Sequence, residues 1–431
     1  MGMRALASFP TARSASFILD AAINAPKDDS QYEFAAWLSI NDLADVWTEA
    51  VLAGKWKIEG REKQLEFALD ALDAARSGPV IAALLKERPI TRDGAGPWIE
   101  LIGKGGGKAE LAQLYTHVAK GELEPPALAR ALNALAARAK KDGDPVAGEA
   151  MYRRMASACT TCHAIGGAGG KLGPDLTSIG ASAPADYIIE SILNPAAKVK
   201  EGYHAFSFAM KDGSEAIGIP SRETAQEQLI RTVAGELGLP KANIVSKKIA
   251  EGGASLMPAG LTAAWTDRER LNLYAFLMEL GRPGPFDASK NNVARSWQLT
   301  DHIAMKESLE LKQNPSAPSG SGGVVEIPVY TLVDGRLTKD LLAEKLAVLQ
   351  TKNPTVHLTA RFQAATAGKA KLNLTGIRKA WLDGQPLAIA SEPSPSVELT
   401  AGAHTFTVEV DAKSPPEVLR LESPAVSFLG D

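Results

Sequence analysis

Cysteine is nearly missing from this chain: there are two among 431 residues, at positions 159 and 162. A framework of structural disulfides is therefore excluded, and stability must come from burial of apolar surface. Histidine is sparse too, with six residues, of which His117, His302, His357 and His404 are scattered over three regions. No G-x-S-x-G, H-E-x-x-H or G-x-x-x-x-G-K-[ST] sequence occurs, so nothing supports a nucleophile elbow, a zinc-protease helix or a phosphate-binding loop. No apolar run approaches the roughly 20 residues of a membrane-spanning helix, and no transmembrane segment is expected. An excess of one charge sign is also lacking, since 47 basic residues face 50 acidic ones. That balance gives no electrostatic reason to bind nucleic acid or an anionic membrane. Asp42 with Asp45, and Asp70 with Asp73, are i, i+3 pairs that read as solvated helix faces.

What is present is a chain long enough for two to four domains. Residues 1–142 read as short amphipathic helices, with stripes at Leu65, Ala68, Leu69 and Leu72 and at Leu128, Ala131, Leu132 and Leu135. Breaks are expected at Gly54, Gly60, Gly78-Pro79, 93–97, 103–107 and Pro125-Pro126. HEAT-like stacked helical repeats are the architecture this implies, with Trp37, Trp47, Trp56 and Trp98 in the core. Residues 143–285 open on Asp144-Pro145 and close with a helix ending at Gly281. Between them lie a hairpin, 203–210 with 213–219, and strands predicted at 228–233 and 243–249. Residues 286–324 read as a linker holding a short helical candidate at 300–311 and the flexible 315–323 stretch. In residues 325–431 a helix at 339–350 precedes strands at 356–362, 371–374, 378–382, 397–399 and 404–410, with turns at Asp383-Gly384 and Ala401-Gly402. This is the pattern of an antiparallel β-sandwich.

Cys159-Thr160-Thr161-Cys162-His163 fits C-x-x-C-H, the arrangement of c-type haem attachment. Two thiols one helical turn apart can each form a thioether to one of the two vinyl groups on a porphyrin edge. The adjacent histidine then lies under the iron. Random placement of these residues would give the arrangement on the order of once in ten thousand sequences. The alternatives are a structural zinc site, which would have to recruit a distant histidine such as His204, and a thiol/disulfide pair, which leaves His163 without a role. Met151, Met155, Met210, Met257, Met278 and His204 are candidates for a second axial ligand. Met151 and Met155 are expected on the helix of the attachment site, on the wrong side of the ring, and Met278 in the core. Met257, in the loop 252–260, is the preferred ligand; His204, expected on a strand, is the reserve.

With these residues in view, 144–281 resembles the c-type cytochrome, haem-binding domain of planctomycete-like bacteria, a family commonly fused to HEAT-type repeats and quinoprotein-like dehydrogenase propellers. The resemblance rests on the 148–152 helix start, the CxxCH, Leu172-Gly173-Pro174-Asp175-Leu176, Ile192-Leu193-Asn194-Pro195 and 255–261. It implies a class I-like α-helical cytochrome c domain with a β-hairpin or meander insertion at about 203–249. By the same resemblance Cys159 and Cys162 are covalent anchors, and His163 and Met257 axial ligands. The Pro174 carbonyl then accepts from the other ring nitrogen of His163, which would fix the imidazole. Thr266 to Glu269 reads as a capping box, and Tyr274 or Phe276 as the aromatic meeting Gly148.

The function this implies is electron transfer through one haem c with both axial positions filled, working with a redox partner protein or a dehydrogenase domain rather than as a catalyst by itself. The alternatives are a scaffold whose sandwich binds carbohydrate or a partner, with Trp381 as the available tryptophan, and a haem peroxidase or sensor if Met257 is not a ligand. An extracytoplasmic, periplasmic or cell-surface location is implied, although 1–26 shows no unbroken apolar stretch of about 7–15 residues that would mark a signal peptide. The chain is therefore expected to be the C-terminal part of a longer exported protein.

Overall fold

The computed structural model describes residues 2–24, 29–87, 89–250, 254–301, 326–389 and 394–430. The protein mixes helices with antiparallel sheets and divides into two compact units. One gathers Met1–Gly143, Ala185–Lys198 and Ala259–Leu271; the other gathers Asp144–Pro184, Val199–Pro258 and Asn272–Asp431. No helix among the described residues is long and apolar enough to cross a membrane.

The first unit is helical. Glu62–Ala71 buries Leu65, Ala68 and Leu69, and Pro125–Asp142 buries Ala131, Leu132 and Leu135, so both apolar stripes face inward. Trp47, Trp56 and Trp98 are buried, with Trp47 and Trp56 edge to face at 5.7 Å. Trp37, expected in the core, is instead 44% exposed and stacks on Phe34 at 5.9 Å. The helix Ser30–Asp42 turns Ala36, Ser39 and Ile40 inward, and Trp37 falls outside that face.

The break expected at Gly78-Pro79 does not occur, because Ala74–Glu87 runs through Pro79. A proline there removes the bond to the carbonyl of residue 75 and crowds that carbonyl, a cost the helix bears without ending. Asp73 holds the start, accepting the Arg76 amide at 3.0 Å on its side chain and the Ser77 amide at 2.9 Å on its carbonyl. Asp73 is thus a cap rather than one of a pair of solvated charges, while Asp42 is paired with Arg4 at 2.6 Å. The break expected at 103–107 falls at Gly106-Gly107, and Trp98–Gly105 passes through Gly103, where a Cβ would stand 2.6 Å from that of Ala134. Glycine is kept there for close helix approach, not for a turn. The capping box forms as its spacing predicts: Thr266 N–H donates to Glu269 Oε2 at 2.8 Å and Glu269 N–H to Thr266 Oγ1 at 3.3 Å.

The second unit holds the CxxCH segment and the sheets. A five-stranded antiparallel sheet runs in the order Gly235–Pro240, Glu227–Thr232, Glu215–Glu223, Phe206–Met210, Ile244–Ile249, around Phe208, Ile230 and Leu239. The hairpin starts at Phe206 rather than 203, and Gly235–Pro240 is a strand that its two glycines concealed.

A second sheet pairs Thr355–Ala364 with Gly402–Asp411 over ten residues, and also with Ser296–Asp301. The expected linker 286–324 therefore contains a strand, and residues 300–301 of the helical candidate belong to it; 302–311 and 315–323 lie outside the described residues, as does His302. Trp297 and Leu299 from this strand join Val356, Leu358, Phe362, Phe406, Val408, Leu419 and Leu421 in one core. The turn at Asp383-Gly384 has both residues at positive φ, 51° and 79°, as a tight hairpin requires. Lys339–Leu349 is helical, capped by Thr338.

Candidate functional site

The site is built on two close backbone approaches. Asp144 caps Pro145–Arg153 by accepting the amides of Val146 and Ala147 at 2.9 and 3.3 Å. One turn in, Gly148 lies against the helix Asp267–Glu279: a Cβ there would stand 2.0 Å from the Asn272 carbonyl oxygen and 2.8 Å from Phe276 Cβ. Of the two aromatics expected opposite Gly148, it is Phe276 that meets it. Tyr152, buried, lies 5.8 Å from the Phe276 ring and donates its hydroxyl to the His163 carbonyl at 3.0 Å. The helix then stops. Met155–Ser157 is a 3-10 turn and Ala158 takes a left-handed φ of 56°. Met151 and Met155 are thus not on the helix of the thiols: Met151 is buried in the first helix, and Met155 is 41% exposed.

Cys159–Cys162 is a single helical turn, closed by His163 N–H on the Cys159 carbonyl at 2.9 Å. The glycine-rich loop folds back over it. Gly170 N–H donates to Thr160 O at 2.9 Å and Gly173 N–H to Cys162 O at 2.8 Å. A Cβ on Gly170 would lie 1.9 Å from Thr161 O. One on Gly173 would lie 2.5 to 2.9 Å from three atoms of the His163 ring. The loop thus presses bare backbone against the imidazole. Pro174, expected as acceptor, has its carbonyl 2.7 Å from His163 Nδ1. A proton on Nδ1 donating to that carbonyl fixes the tautomer and leaves Nε2 as the basic nitrogen. The five-stranded sheet reaches the same loop: Arg231 donates to Lys171 O at 3.0 Å and to Gly202 O at 3.2 Å, with its guanidinium 5.0 Å from the Tyr203 ring centroid.

Burial governs the charges here. It pushes the Cys159 thiol up to about 11 and raises Cys162 as well. A redox-active dithiol needs the opposite shift, so the thiols are poised as neutral groups. Burial also lowers His163 below its usual 6.5, only partly opposed by the Pro174 carbonyl and Asp175. His404, in contrast, is raised. Its burial is outweighed by the Asp383 carboxylate at 2.7 Å and the Thr400 carbonyl. Proton-detected titration of the haem-free chain is therefore expected to place His163 below 6.5 and His404 above it. By linkage, His163 contributes stability above pH 6.5 that is lost as pH falls toward its folded value, and His404 stability below 6.5 that is lost as pH rises through its own. Finding the two in reverse order would contradict both the burial of His163 and the bonding of His404.

The remaining candidates are dispersed. Met257 is half-buried in the loop 254–258 of the same unit, its N–H on Ser255 Oγ at 3.1 Å; Gly252 and Gly253 lie outside the described residues. His204 is half-buried just ahead of its strand rather than on it. Met210 packs on the small sheet's core and Met278 is buried. Among the described residues no three His, Cys, Asp or Glu side chains are grouped to hold a metal ion. Trp381 is half-buried, with Lys379 over its ring at 5.1 Å and His357 edge-on at 5.7 Å. Sequence reasoning expected the crossing at Gly148 but missed the packing roles of Gly170 and Gly173 and the Tyr152 hydroxyl. The glycine density of 166–173 was the available signal. No protein-family model matches the chain, and no curated protein matches it.

Proposed function

We propose that this chain is an electron-transfer c-type cytochrome module, with Cys159 and Cys162 as covalent anchors of one haem, His163 as one axial ligand of its iron and Met257 as the other. The observation that supports it most is the state of His163. Its Nδ1 is engaged by Pro174 and its ring lies against Gly173, beside two reduced thiols spaced by one helical turn. That donor set fits the group: a fixed imidazole with a basic Nε2, and uncharged thiols that are not tuned for disulfide exchange. A haem ligated on both sides by protein supplies one-electron chemistry and no open site for substrate.

The chain's own part is positioning. Tyr152 pins the backbone of His163 through its carbonyl, Pro174 sets the ring's rotation, and Gly173 excludes any side chain from the ring. In this reading the first unit is a HEAT-like scaffold and the C-terminal sheets an accessory β-sandwich. The module would receive electrons from a dehydrogenase partner outside the cytoplasm. Protein matured in a host that attaches haem c is expected to show a c-type reduced spectrum that carbon monoxide leaves unchanged. With Met257→Ala, carbon monoxide should shift it. A spectrum that responds to carbon monoxide in the parent chain removes Met257 as a ligand and favours the sensor or peroxidase reading, while colourless protein overturns the reading altogether.

A further inference from the structure

Arg153, the last residue of Pro145–Arg153, has a side chain that is 0% exposed. None of its three guanidinium nitrogens has a hydrogen-bond partner among the described residues. A charge buried in this way is costly, and natural chains seldom keep one without an electrostatic use. Its opposite charge is Glu149, one helical turn back, at 3.9 Å, too long for a hydrogen bond. Glu149 is itself buried and already accepts the Val333 amide at 2.6 Å. A second buried guanidinium, Arg295, acts on the same cluster and spends its donors on the Val333 and Lys290 carbonyls at 2.7 and 2.8 Å. Asp287 and Asp334 also act on Arg295, so Arg153, and not Arg295, is the cation here whose charge no hydrogen bond answers. The guanidinium carbon lies 5.3 Å from the ring centroid of Tyr152, the residue whose hydroxyl holds the His163 carbonyl, so the charge stands one side chain away from the backbone of the site.

We propose that Arg153 is a potential-setting residue, whose buried charge, free of hydrogen bonds, lies against Tyr152 behind the His163 backbone and favours the reduced state of the haem anchored at Cys159 and Cys162. The inference rests on the reading of Cys159 and Cys162 as haem anchors. The haem that Cys159, Cys162 and His163 would hold would supply one-electron chemistry, its ferric iron taking one electron from the donor protein to become ferrous. No bond forms or breaks, and the charge of the site falls by one. A fixed cation in a low-dielectric interior stabilises the product of that step over its reactant. An unscreened unit charge about 12 Å from the iron would shift such an equilibrium by roughly tenfold at an effective dielectric of about 20.

The test is a spectroelectrochemical titration of matured full-length protein, run well above neutral pH so that Glu149 is ionised. Arg153→Met keeps the aliphatic stem and loses the charge. It is expected to lower the reduction equilibrium constant about tenfold, which is ~59 mV for one electron. Arg153→Lys should keep most of the parent potential, and Glu149→Gln should move it the opposite way to Arg153→Met. An Arg153→Met protein with one haem, the parent absorption bands and an unchanged midpoint overturns the proposal. Should that variant fail to fold, Glu149→Gln decides, and the absence of a rise overturns it. If the parent protein carries no haem, its spectrum shows so before any titration, and it is then the attachment reading that has failed.

Discussion

Gly148→Val is expected to destabilise the second unit by about 3 kcal/mol, the upper end of what overpacking costs. A Cβ at this position would be 2.0 Å from a backbone oxygen, and backbone cannot rotate aside as a flexible side chain can. The helices would have to separate, and with them Tyr152, which lies 5.8 Å from Phe276 and holds the carbonyl of His163. Since a domain's total stability is on the order of 5–15 kcal/mol, one methine and two methyl groups should remove a large share of it. Urea unfolding followed by near-ultraviolet circular dichroism measures the loss directly. A midpoint equal to the parent's, at unchanged slope, means the crossing is looser than described.

Gly173→Ala is expected to act more locally and to show itself at the imidazole. Its methyl would fall within 2.5 to 2.9 Å of Cε1, Nδ1 and Nε2 of His163, so ring and loop cannot both stay in place. If the ring leaves its buried position, the desolvation that lowers His163 is relieved. Its titration in the haem-free chain should therefore move up toward 6.5, while His404, whose partners Asp383 and Thr400 are untouched, keeps its own. In matured protein, on the haem reading, the same change should weaken the iron–imidazole bond and alter the haem absorption spectrum, the thioether-bonded haem itself being retained. A His163 titration identical to the parent's would show that the loop, and not the ring, gives way.

The two kinds of information needed for this site are unequally legible in the sequence. The proposed attachment motif is written in residue identity, so Cys159, Cys162 and His163 stand out at once from a chain with two cysteines. Periodicity marks the helices of the first unit and the long strands Thr355–Ala364 and Gly402–Asp411, because each buries one face. What periodicity cannot show is which glycines are turns and which are contacts. Gly103 and Gly148 sit inside helices because another element touches them, and that partner is distant in sequence. Pro79 reads as a break for a related reason, since its residue type alone does not reveal that Asp73 has already organised the helix start. Hydrophobicity alone places Trp37 in the core, whereas the inward face of Ser30–Asp42 is set by Ala36, Ser39 and Ile40. The strand Ser296–Asp301 sits beside a polar stretch, and its membership of a sheet depends on pairing with residues nearly sixty positions later.

The central claim is that one haem is bonded to this polypeptide through Cys159 and Cys162. Intact-mass spectrometry of denatured protein, produced with haem-c maturation, tests it most directly. The expected result is a single haem-sized addition that survives denaturation and is absent from the Cys159→Ala, Cys162→Ala double variant. An unmodified mass for the parent chain contradicts the claim, as does an addition that persists when both cysteines are gone.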